Sequence, residues 1–129
     1  MAKDLSTKIL YVEDEFITRL DVKNMLSNKY KYIFTAKNGA QGFEVFQSKN
    51  PDIVISDLKM PISDGIEMVK KIRKVNKTIP IIVASAFDKE FTKFDKLNVF
   101  GYITKPITKF NLLIMIKEAL ENNEKNDTI

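Results

Sequence analysis

Ile53-Val54-Ile55-Ser56-Asp57 is a short run that is apolar at nearly every position and ends on a carboxylate. A strand with one wet face would alternate apolar and polar residues; a continuous run expects burial on both faces. Residues 79–84, Ile-Pro-Ile-Ile-Val-Ala, read the same way, with Pro80 near the start, where a missing N–H is tolerable. Two such strands require helices on both sides of a sheet, the signature of a parallel α/β domain.

Working outward, strand-like and helix-like segments alternate five times. Strands are expected at Ile9-Leu10-Tyr11-Val12, at 32–36, at 53–57, at 79–84 and at Tyr102-Ile103. Between them, residues 16–26 form a helix with a diffuse apolar pattern. Asn38-Gly39 opens a second helix, with Ala40, Phe43 and Phe46 at spacing three, and Ile66, Val69 and Ile72 mark a third. The last helix is the clearest, with Leu112, Leu113, Ile116 and Leu120 on one face. Asn122 onward is polar and is expected to fray or to begin a linker. Units of about 20 to 25 residues argue an open, doubly wound five-stranded parallel sheet with helices on both faces, its crossovers right-handed.

Size and composition narrow the chemistry. The 129 residues suit one domain, 1–129, with a core over 8–121 and a polar tail or linker over 122–129. There is no cysteine and no histidine, which excludes disulfides, thiolate metal sites and the commonest zinc ligand. No apolar run is long enough to span a membrane and no signal-peptide core is present, so a cytoplasmic location without membrane insertion is expected. The net charge of +4 comes from lysines interspersed with acids; only Arg19 and Arg73 are arginines, so direct nucleic-acid binding is not expected. Lys70-Lys71-Ile72-Arg73-Lys74 is locally dense and reads as the outer face and end of a helix.

Five positions stand at or just past strand ends: Glu13 and Asp14, Asp57, Ser85, and Lys105. Parallel α/β sheets gather ligand chemistry at the carboxyl ends of their strands, so these residues are expected in one pocket. Glu13-Asp14-Glu15 alone could be a solvated turn feeding charge to a helix N-terminus. Beside Asp57, crowded carboxylates raise one another's pKa, and a divalent cation removes that cost; hard oxygen ligands point to Mg²⁺. The site could hydrolyse a phosphate ester or hold a nucleotide, though none of the four glycines forms a phosphate-cradling motif. The remaining option makes a carboxylate the nucleophile for a phosphoryl group. Lys105 and Ser85 fit it, as a compact positive charge and a hydroxyl donor for phosphate oxygens. Pro106 follows Lys105, and a cis peptide there would set the lysine's position.

With these residues in this order, the chain resembles the receiver (phosphoacceptor) domain of two-component response regulators, including its single-domain chemotaxis members. The resemblance covers residues 8 to 121, and Asp57-Leu58-Lys59-Met60-Pro61 with Asp64-Gly65 looks like the family's phosphoacceptor loop. It implies a flavodoxin-like (βα)5 fold with strand order 2-1-3-4-5. It implies a switch rather than an enzyme: a sensor histidine kinase, a phosphotransfer protein or a small phosphodonor phosphorylates Asp57. By the same resemblance Mg²⁺ is held by Asp14, Asp57, the Lys59 backbone carbonyl and, through water, Glu13, while Lys105 assists. Ser85 and Tyr102 are the switch pair, altering the surface of the fourth helix, fifth strand and fifth helix for a downstream protein target, as a monomer or a phosphorylation-dependent dimer. Departures are Glu13 where aspartate is commoner and Ser85 where threonine is commoner. Lys59 and Phe87 flank the phosphoryl position and are expected to lengthen its lifetime. Phe87, Phe91, Phe94 and Phe100 are expected mostly in the core. Two alternatives stay open: the input half of a longer regulator with a DNA-binding or enzymatic output module, or a Mg²⁺-dependent phosphatase of another doubly wound family.

Overall fold

A computed structural model describes residues 3–58, 65–86, 94 and 96–127, the last four in backbone alone. Five parallel strands form one sheet in the order β2-β1-β3-β4-β5. They are β1 (Asp4–Val12), β2 (Tyr30–Ala36), β3 (Ile53–Asp57), β4 (Ile81–Ser85) and β5 (Gly101–Thr104). The described helices are α1 (Phe16–Ser27), α2 (Gly39–Lys49), α3 (Gly65–Val75) and α4 (Lys109–Asp127). The helix expected between β4 and β5 falls largely on residues outside this set, as do Lys59, Met60, Pro61, Asp64, Phe87 and Phe91.

Continuous apolarity in the central strands does what it was expected to do. Leu10, Val12, Val54, Ile81 and Val83 point to one face and pack with Phe46, Met68, Val69, Ile72 and Phe94. Ile9, Tyr11, Ile53, Ile55, Ile82 and Ala84 point to the other and pack with Val22, Leu26, Leu112, Ile116 and Ala119. The faces alternate residue by residue along each strand, so α2 and α3 cover one side and α1 and α4 the other. Phe94 is fully buried and Phe100 partly so. The diffuse pattern of α1 has a cause: Phe16, Ile17 and Leu20 face solvent.

Several boundaries differ from the sequence reading. β2 starts at Tyr30 instead of 32, β4 spans Ile81–Ser85 instead of 79–84, and β5 spans Gly101–Thr104. Two further differences have a clear cause. β1 begins at Asp4, where its N–H bonds to the Lys29 carbonyl (2.7 Å), before a register shift between Asp4 and Lys8. Backbone pairing and not side-chain pattern makes that extension. α4 continues through the polar 122–127 segment to Asp127 instead of fraying at Asn122. A helix nucleated by a packed face propagates at little cost into a polar segment.

Candidate functional site

The sheet register assembles the site. Val12 stands opposite Ser56, so Glu13, one residue on, comes level with Asp57. Asp57 pairs with Ala84, and Ser85 pairs with Thr104. Lys105 is held one step past β5 by its N–H to the Ser85 carbonyl (2.8 Å), and the Lys105–Pro106 bond is cis.

Oxygen atoms of Glu13, Asp14 and Asp57 lie within 4.8 Å of one another. The Lys105 Nζ reaches into this group, donating to Glu13 Oε1 at 2.8 Å and pairing with Asp57 Oδ1 at 3.0 Å. Glu13 is 1% exposed and Asp57 6%, whereas Asp14 is open to solvent and gives the cluster its mouth. Among the described residues, three carboxylates therefore face one ammonium. Partial burial, a hydrogen bond with Glu13 and that neighbour's charge lift the Asp14 carboxyl above its usual range. At Lys105 burial acts to lower the ammonium, but hydrogen bonds and charges from Glu13 and Asp57 prevail and raise it. A surplus of hard, negatively charged oxygens converging on an open side suits a small divalent cation that keeps part of its water shell.

Ser85 is buried at the end of β4, and Tyr102 is half-buried on β5, packed toward the α2–α3 face. The structure thus brings Glu13, Asp57 and Lys105 into direct contact and Asp14 within 4.8 Å of the other two carboxylates, with Ser85 on the adjoining strand end and Tyr102 further down β5. Glu15 belongs elsewhere. Its carboxylate caps α1, accepting from the N–H groups of Ile17 and Thr18 and from the Thr18 hydroxyl.

Three supports were not singled out in the sequence. Arg19 donates from Nη1 to the carbonyls of Glu13 (2.7 Å) and Asp14 (3.4 Å), pinning the backbone of the acidic pair. Arg73, half-buried, donates to the carbonyls of Leu97 (2.7 Å), Asn98 (2.8 Å) and Asn76 (3.2 Å). It ties α3 to the turn before β5, so it is not merely part of a charged outer face. Tyr11, fully buried, donates its hydroxyl to Glu13 Oε1 at 3.3 Å. Its position two residues before Glu13 in a strand, hence on the same face, was the available signal. At Gly65 an added Cβ would meet the Asp57 carbonyl at 2.6 Å, so glycine is required where α3 approaches the site.

Comparison with known proteins bears on this arrangement. Residues 9–117 match the family model of the response regulator receiver domain. The chain is 30% identical to the chemotaxis protein CheY of Halobacterium salinarum, over 90% of this chain and 98% of that one. It is 32% identical to the alkaline phosphatase synthesis transcriptional regulatory protein PhoP of Bacillus subtilis, over 93% of this chain but 51% of that one. The chemotaxis response regulator CheY4 of Vibrio cholerae superposes with a TM-score of 0.81 at 27% identity, covering 88% of this chain and 98% of that one.

Proposed function

The chain belongs to the response regulator receiver family, and we propose that it works as a phosphorylation-driven switch with Asp57 as the phosphoacceptor. One observation carries this reading: the Asp57 carboxylate shares its pocket with the Lys105 ammonium, 3.0 Å away, and with two further carboxylates open to solvent through Asp14.

An Asp57 oxygen attacks the phosphorus of a phosphohistidine or a small acyl phosphate. A P–O bond forms to Asp57 while the donor's P–N or P–O bond breaks, its electron pair leaving with the donor. Asp14 and Asp57, with Glu13 through water and the Lys59 carbonyl, would hold Mg²⁺, which neutralises charge on the transferring phosphoryl group. Lys105 supplies the second positive charge and follows a phosphoryl oxygen. Ser85 donates its hydroxyl to another, and Tyr102 moves inward behind it. The altered surface comprises the segment between β4 and β5, β5 itself and α4, and it meets a downstream protein target. The phosphodonor partner, a sensor histidine kinase or phosphotransfer protein, approaches over α1, which exposes Phe16, Ile17 and Leu20. A cytoplasmic location goes with this reading, as does a monomer or a phosphorylation-dependent dimer. Among the described residues no helix is long and apolar enough to cross a membrane.

Incubation with acetyl phosphate and magnesium chloride, read by intact mass, tests the proposal. One phosphoryl group is expected, and none in Asp57→Asn. Retention of the added mass in that variant, or turnover of many equivalents of a phosphate ester, overturns it. The match to a regulator twice as long favours a second reading, in which this receiver is the input half of a longer protein. A coding sequence continuing past Ile129 decides for it.

A further inference from the structure

Glu13 is unusual among the site's carboxylates in how completely its surroundings are specified. Its N–H bonds to the Ala36 carbonyl at 3.0 Å, and its own carbonyl accepts from Arg19 at 2.7 Å, so the main chain is pinned from both sides. Only the side-chain torsions remain to be set. Oε2 accepts from the Glu15 N–H at 3.3 Å. Oε1 is shared by two donors, the Lys105 ammonium at 2.8 Å and the Tyr11 hydroxyl at 3.3 Å. The same ammonium also pairs with Asp57 at 3.0 Å. Tyr11 has no exposed surface and Glu13 only 1%, so bulk water does not reach the hydrogen bond between them.

On the reading of Asp57 as phosphoacceptor, we propose that Tyr11 is a positioning residue: its hydroxyl holds the Glu13 carboxylate while Lys105 transfers from Glu13 to the phosphoryl group. A buried carboxylate that loses its only cationic partner is strongly destabilised. Lys105 must nevertheless leave Glu13 if it is to follow a phosphoryl oxygen on Asp57. The Tyr11 hydroxyl lowers the cost of that departure by remaining on Oε1. Without the hydroxyl, Glu13 keeps one weak donor on its other oxygen and grips Lys105 harder. Phosphorylation then slows, although the metal ligands and the nucleophile are untouched.

The experiment is a double-mutant cycle of Tyr11→Phe and Glu13→Asp, since the shorter aspartate draws the carboxylate back from the phenol. Phosphorylation rates by acetyl phosphate at saturating magnesium chloride are read by intact mass, with thermal melts of all four proteins alongside. Tyr11→Phe is expected to slow the reaction roughly fivefold or more when residue 13 is glutamate, and by less than about 1.5-fold when it is aspartate. A merely structural defect from losing the hydroxyl would appear equally in both backgrounds and in the melts. Equal effects in the two backgrounds, or no effect in either, overturn the role of Tyr11 while leaving Asp57 as the acceptor. A parent protein that gains no phosphoryl group overturns the reading of Asp57 and this inference with it.

Discussion

The two ends of the sheet treat the same residue type in opposite ways. At the amino end, the Asp4 carboxylate accepts from the N–H groups of Ser6 (2.9 Å) and Thr7 (2.8 Å) and from the Thr7 hydroxyl (2.6 Å). Partial burial works against its charge, but the hydrogen bonds from Thr7 and Ser6 outweigh it and hold its pKa below the usual value. Asp52, on the same edge, accepts from the Lys8 N–H at 2.8 Å. At the carboxyl end, acids face acids, and Asp14 is shifted the other way. The amino end uses its carboxylates to close turns. Among the described residues, the carboxyl end keeps negative charge that protein donors do not fully answer, and such unresolved charge is where function concentrates.

The sharpest way to break this contrast is to remove the one cation that the described residues place among the acids at the carboxyl end. Lys105→Met leaves Glu13 buried without its counter-charge and is expected to lose about 3 kcal/mol in metal-free buffer. Magnesium chloride should restore part of that loss, as followed by urea unfolding with and without chelator. No restoration would separate the acid cluster from metal binding. Next in size is Gly65→Ala. The added methyl meets the Asp57 carbonyl at 2.6 Å and the Ser56 hydroxyl at 3.2 Å, so backbone must move. About 2 kcal/mol of stability should be lost, with slower phosphorylation, since Asp57 is displaced.

The smallest effects test the contrast most directly, because they differ in sign. Asp4→Ala removes three hydrogen bonds and should cost about 1 kcal/mol near neutral pH. The depressed pKa of Asp4 means that its charge stabilises the fold above the ordinary 3.8, and that this part is lost as pH falls through the lower folded value. Asp14→Asn should instead stabilise the metal-free protein, by at most about 0.5 kcal/mol because the group is open to solvent. Its raised pKa means that ionisation opposes folding. The gain is therefore absent below 3.8 and appears as pH rises through the elevated folded value. Urea midpoints at pH 7 and pH 3.5 check both variants. Shifts of the same sign at pH 7 would erase the distinction between the two ends.

Much of the site was legible because its residues lie where chain patterns change. Asp57 ends an apolar run, Glu13 and Asp14 follow another, and Lys105 precedes a proline. These transitions mark strand ends, and strand ends in a parallel sheet share one edge. Arg19, Arg73 and Tyr11 were not legible in the same way. Each acts through an atom several bonds from its backbone, on a partner chosen by packing: a carbonyl across a turn, a loop 24 residues away, a carboxylate on the same face. No periodicity records such choices. The start of β1 at Asp4 escaped for a related reason, since backbone hydrogen bonds add no side-chain pattern.

Sequence alone determined the doubly wound sheet and the acids expected at its edge, because burial on two faces demands continuous apolar strands and leaves charge only at their ends. Tertiary structure decided which of those acids meet. The unbroken register of β1 on β3 carries Glu13, one residue past Val12, level with Asp57, while Glu15, two residues on, turns away to cap α1. Distances of 2.8 and 3.0 Å to Lys105, and the tyrosine beneath, follow from the packing of strands and helices far apart in the chain.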